Sequence, residues 1–118
     1  MPFLTVQNPA SSSKTFSMTC HYNLPTLRRV RWYHTVNGFT FLIYTFNKSS
    51  LQEDQREGRY STLSADTESH RLLIDDISHM DQGHYSCETE TTERNRARSA
   101  AVFVYVTGKP DQLQYLFM

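Results

Sequence analysis

A chain of 118 residues is about one domain, long enough to bury one core. Its 12 Lys and Arg balance 12 Asp and Glu, which excludes the basic excess of a dedicated nucleic-acid binder. No apolar run is long enough to read as a membrane-spanning helix, so membrane attachment is expected only through a segment outside this chain. The start, MPFLTVQNPA, lacks a charged segment followed by an apolar stretch. It does not read as a signal peptide, and for a secreted protein the expectation is that the signal has been removed.

In chain order, TFSMTCHY (15–22) alternates with period two, Phe16, Met18, Cys20 and Tyr22 on one face and Thr15, Ser17, Thr19 and His21 on the other. That is the pattern of a half-buried strand. RVRWYH (29–34) sets Val30 and Trp32 against Arg31 and Tyr33. The turn signal VNG precedes a β-branched and aromatic run, FTFLIYTF (39–46). RYSTLSA and HRLLIDDI read as two further strands split by the polar DTES, and ISHMD has room for one helical turn. HYSCETE and AAVFVYV close the series. Seven to nine short strands with no long helical period predict a sandwich or a barrel.

The stretch DQGHYSC (81–87) holds one of the two cysteines. Cys20 and Cys87 have 66 residues between them, Trp32 follows Cys20 by 12, and Tyr85 stands two before Cys87 on the same strand face. This Cys…Trp…Tyr-x-Cys spacing resembles an immunoglobulin domain over roughly residues 3–107. The resemblance implies a Cys20–Cys87 disulfide between two sheets, with Trp32 packed on it. It further implies Tyr85 at the corner entering strand F, Gly83 supplying backbone freedom there, and Asp81 paired with Arg59 of EGRYS. Leu72 and Ile74 match the Leu-x-Ile of strand E. The 26 residues between Trp32 and Arg59 leave room for strands C′ and C″, and FLIY (41–44) resembles C′ of antigen-receptor variable domains. The expected fold is therefore all-β, a two-sheet Greek-key immunoglobulin sandwich of variable (V) type with about nine strands. Residues 1–108 form the domain and 109–118 a linker or tail. One departure is plain: no glycine lies between Cys87 and Thr107, where variable chains carry Phe-Gly-x-Gly. A straighter last strand is the expectation.

His34, His70, His79 and His84 could in principle join an Asp or Ser in a catalytic triad, but no nucleophile elbow, phosphate-cradling glycine loop or paired metal-ligand motif accompanies them. His79 and His84 read as surface residues. The carboxylates of DTESH and IDDIS read as solvated turns rather than a calcium loop. No enzyme activity, metal or cofactor is expected. Binding is the expected role. Tyr33, Phe103 and Tyr105 point away from the core if their neighbours Trp32, Val102, Val104 and Val106 point into it. Strand C′ adds either Phe39, Phe41 and Ile43 or Leu42 and Tyr44. The expected partner-binding set on the GFCC′ face is Tyr33, Phe41, Tyr44, Phe103 and Tyr105, taking a protein or, weakly, a second copy in a homodimer. The alternative is an anionic glycan or other acidic ligand held by Arg28, Arg29, Arg31, Arg94, Arg96 and Arg98 of the B–C and F–G loops, which Glu88, Glu90 and Glu93 would oppose by self-neutralisation. NKS (47–49) is the single N-glycosylation sequon, on Asn47. A disulfide and a sequon together predict an extracellular setting, cell surface or secreted.

Overall fold

The computed structural model describes residues 2–7, 15–48, 54–55, 59–65, 68–107 and 114–117. Strands run β1 (Phe3–Gln7), β2 (Phe16–His21), β3 (Leu27–Val36), β4 (Phe39–Asn47), β5 (Asp54–Gln55), β6 (Tyr60–Ala65), β7 (Ser69–Ile74), β8 (Gly83–Thr91), β9 (Arg96–Arg98), β10 (Val102–Thr107) and β11 (Gln114–Phe117), with a 3₁₀ turn at His79–Asp81. They form two antiparallel sheets. The smaller has the order β1-β2-β7-β6; the larger runs β11-β10-β8-β3-β4-β5, with β9 also paired to β8. The chain changes sheet from β2 to β3, β5 to β6 and β7 to β8, and the returning β7 and β8 lie beside β2 and β3, which is Greek-key connectivity. The about nine expected strands are β1 to β8 with β9 and β10 as one interrupted strand, and β11 is an addition.

The two inner faces are the apolar halves of the alternating segments. Phe16, Met18, Cys20, Leu72 and Ile74 of the smaller sheet meet Val30, Trp32, Tyr85, Cys87, Val104 and Val106 of the larger, all nearly inaccessible to water. Burial of each large apolar side chain contributes about 1.5–3 kcal/mol. Cys20 and Cys87 are disulfide-bonded across the gap, with Cα atoms 6.2 Å apart.

The corner leading into β8 is built from the DQGHYSC stretch. The Tyr85 hydroxyl donates to the carbonyl oxygen of Asp81. Ser78 caps the 3₁₀ turn, and its own backbone N–H donates to Asp81 Oδ2 at 2.8 Å. Arg59 grips the buried Asp81 carboxylate with both terminal nitrogens, Nη1 to Oδ2 at 3.0 Å and Nη2 to Oδ1 at 2.8 Å. Gly83 adopts φ +143°, and a Cβ there would stand 2.6 Å from both His34 Nε2 and the Thr35 carbonyl oxygen. The His34 ring fills the space a side chain would need; it stacks on Tyr85 with centroids 4.4 Å apart and donates to the Gln82 carbonyl at 2.8 Å.

Three features differ from the sequence reading. The first is a bulge in β4. Trp32 pairs with Tyr44 but Tyr33 pairs with Leu42, leaving Ile43 as an extra residue. Ile43 and Tyr44 are consequently both buried. The second is the last strand, which is not straight. Arg98 pairs with Glu88 and Val102 with Tyr85, four steps against three, so a bulge exists without glycine. Ser99 fills it: its N–H donates to the Cys87 carbonyl at 2.8 Å, and its hydroxyl accepts from the Cys87 N–H at 3.0 Å. The third is the C-terminal stretch, where β11 pairs along β10 from Val104↔Phe117 to Thr107↔Gln114.

Candidate functional site

The outward face of the larger sheet is organised as rungs running across the strands. The first comprises Asn47, Arg29, Glu90 and Arg96. The second is Thr45, Arg31, Glu88 and Arg98; the third, Leu42, Tyr33 and Ser86; the fourth, Thr40, Thr35, His84 and Phe103. Tyr105 follows Phe103 on the same face of β10. Because side chains alternate along each strand, antiparallel register alone assembles these residues.

The face is graded from ionic to apolar. At the ionic end Glu90 is the hub: Arg96 Nε lies 3.0 Å from its carboxylate, Arg31 Nη1 3.4 Å, Arg28 Nη1 3.5 Å and Arg29 Nη1 3.6 Å. Burial works to raise the Glu90 carboxyl, but Arg29, Arg96 and Arg31 outweigh it and hold the group below the usual carboxylate range. Arg31 also reaches Glu88 at 3.4 Å, and the Tyr33 hydroxyl donates to Glu88 at 3.3 Å. The Arg98 guanidinium lies 3.8 Å from the centroid of the Tyr33 ring, a cation–π contact. Partial burial and the negative Glu88 push the Tyr33 phenol up, against the opposing pull of Arg98 and Arg31. At the apolar end His84 meets Phe103 with centroids 4.9 Å apart, and Phe103 is 6.4 Å from Tyr105. Tyr105 and Leu42 are exposed.

Of the expected partner-binding set, Tyr33, Phe103 and Tyr105 share this face. Tyr44 does not. It is completely buried opposite Trp32, because the Ile43 bulge shifts the phase of β4 by one residue. Phe41 is corrected for the same reason: it pairs with the buried His34 and packs half-buried against the core. Leu42 takes the outward position, and only the bulge would have revealed it. Of the six arginines, Arg28, Arg29, Arg31 and Arg96 converge on Glu90 and Arg98 stacks on Tyr33. Arg94 stands apart, exposed in the turn between β8 and β9 at φ 67°. The acidic half of this cluster was legible in the period-two spacing of Glu88 and Glu90. Asn47 Oδ1 accepts from Arg29 Nε at 2.5 Å on the first rung. His79 and His84 are exposed, whereas His34 and His70 are buried. Among the described residues no group of three or more His, Cys, Asp or Glu could hold a metal ion.

A family model described as the immunoglobulin V-set domain matches residues 9–107. No curated protein matches the chain. Among solved structures, a chain from "Structural basis of T cell specificity and activation by the bacterial superantigen toxic shock syndrome toxin-1" is similar with a TM-score of 0.67 at 12% identity, over 86% of this chain and 93% of that one. Murine CRIg is similar with a TM-score of 0.60 at 18% identity, over 83% of this chain and 90% of its own. At these identities the likeness is one of fold.

Proposed function

The chain belongs to the immunoglobulin V-set family, and from that premise we propose that it is an extracellular recognition domain that binds another protein through the outer face of its larger sheet, as part of an immune-type or adhesion receptor. The observation that carries this reading is the graded face itself. Tyr33, Leu42, Phe103 and Tyr105 lie beside a fixed ionic array on a rigid sheet, the mix of aromatic and arginine residues enriched where proteins meet. An exposed apolar patch flanked by charge is the expected form of a docking surface. The disulfide suits an oxidising compartment, which supports an extracellular setting, at a cell surface or in secretion.

A tetramerised, secreted form of the domain applied to a panel of cell types tests this. Staining should be lost with Phe103→Glu and Tyr105→Glu and kept with Thr5→Glu, whose substitution lies on the smaller sheet. Equal loss in all three, or none, overturns the assignment of the face. The anionic-ligand reading rests on one observation: five clustered guanidiniums face two carboxylates, leaving a positive surplus. Heparin that competes for staining, with the aromatic variants still binding, would favour that reading over a protein partner.

A further inference from the structure

We infer that Asn47 carries an N-linked glycan that stands over the ionic end of the outer face and so restricts docking to the aromatic end. Asn47 closes β4 and is followed by the exposed turn residue Lys48. It lies on the same rung as Arg29, Glu90 and Arg96, on the outward side of the sheet. Arg29 Nε donates to Oδ1, which orients the amide, and among the described residues Nδ2, the nitrogen that bears a glycan, has no hydrogen-bond partner. The residues beneath are arginines and glutamates, groups that sugar hydroxyls can hydrogen-bond. The apolar residues lie two to four rungs away at the other end. A glycan here therefore covers polar surface and leaves Tyr33, Phe103 and Tyr105 clear.

In the attachment, Nδ2 forms a bond to C1 of the first sugar of a lipid-pyrophosphate-linked oligosaccharide. The C1–O bond to pyrophosphate breaks, the lipid pyrophosphate leaves, and one amide proton passes to a base of the transferring enzyme. The sequon Asn47-Lys48-Ser49 supplies the acceptor pattern. The glycan itself does not rest on the docking face proposed above; its consequence for docking does.

The test is secretion of wild type, Asn47→Gln and Ser49→Ala from a glycosylating cell line. Peptide mass spectrometry follows enzymatic deglycosylation in heavy-oxygen water, which leaves labelled Asp wherever a glycan was. Label at position 47 is expected in wild type alone; secreted wild type with unmodified Asn47 overturns the site. Ser49→Ala keeps the Asn47–Arg29 hydrogen bond, so it separates the loss of the glycan from the loss of that contact. Phenylglyoxal then reads the shielding. Arg28, 38% exposed at its side chain, should react severalfold more slowly in glycosylated wild type than in Ser49→Ala, with Arg94 reacting equally in both. Equal reactivity of Arg28 overturns the covering role while leaving the docking face to be judged by its own variants.

Discussion

Trp32 donates its indole N–H to Nδ1 of His70 at 2.9 Å in the centre of the core. The bond holds the imidazole as a neutral acceptor. Phe46 stacks on its ring at 4.7 Å and Tyr44 at 6.3 Å, and among the described residues its Nε2 has no hydrogen-bond partner. Burial pushes the His70 pKa down from 6.5 to about 4.

Stability should therefore fall in mild acid. The unfolded chain takes up a proton at His70 near 6.5 and the folded one only near 4, so protonation favours unfolding between these values. The contribution is whole above the unfolded pKa and declines as pH drops, by about 3 kcal/mol in total. Urea unfolding at neutral pH and at mildly acidic pH measures it. His70→Phe should flatten this window while lowering neutral-pH stability by about 1–3 kcal/mol, because the Trp32 N–H loses its acceptor. An unchanged acid slope in the variant would sink the assignment.

Arg59 and Asp81 should be energetically coupled. Arg59→Ala leaves a buried carboxylate with fewer donors and should cost about 2 kcal/mol. A double-mutant cycle with Asp81→Ala should give a coupling above about 0.5 kcal/mol, and strictly additive losses would show that the pair is incidental.

Two glycines with positive φ should behave differently. Gly83→Ala puts a methyl group against His34 and the Thr35 carbonyl in addition to the backbone strain, so a loss of about 3 kcal/mol or more is expected. Gly38 has φ +80° with nothing within 4 Å of a Cβ, so Gly38→Ala pays only the strain, about 1 kcal/mol. Thermal melts of both variants compare them directly; equal losses would mean that the His34 contact yields freely.

Self-association, where it occurs, should be weak and should strengthen with salt. A two-fold pairing of outer faces with strands aligned brings two arginine-rich ends together, and screening relieves that repulsion. Sedimentation equilibrium across a concentration series at low and high salt reads the effect, with Phe103→Glu expected to remain a folded monomer. A dimer that weakens in salt would point instead to ionic contacts between each arginine end and an acidic surface. A dimer unaffected by Phe103→Glu would place the contact elsewhere.

What the sequence determined by itself is what depends on period and spacing. Alternation told inward from outward residues in β2, β3, β8 and β10, since a strand offers only two faces. The intervals among Cys20, Trp32, Tyr85 and Cys87 identified the sandwich and its disulfide, because a bridge between sheets constrains positions far apart in the chain. Tertiary structure decided what a one-residue slip can reverse. The Ile43 bulge exchanged Tyr44 for Leu42 on the outer face and turned Phe41 toward the core, and no local pattern in FLIYTF distinguishes those phases. Ser99 supplied by side-chain hydrogen bonding the bulge that glycines were expected to mark. The arginines expected to converge from two loops on an outside acid lie mostly on strands and converge on Glu90 of the same sheet, because β3, β8 and β9 are neighbours only after the sheet has formed. His70, one polar letter in a strand, became a neutral core residue only once Trp32, Tyr44 and Phe46 enclosed it, since its proton affinity is set by the water those rings exclude.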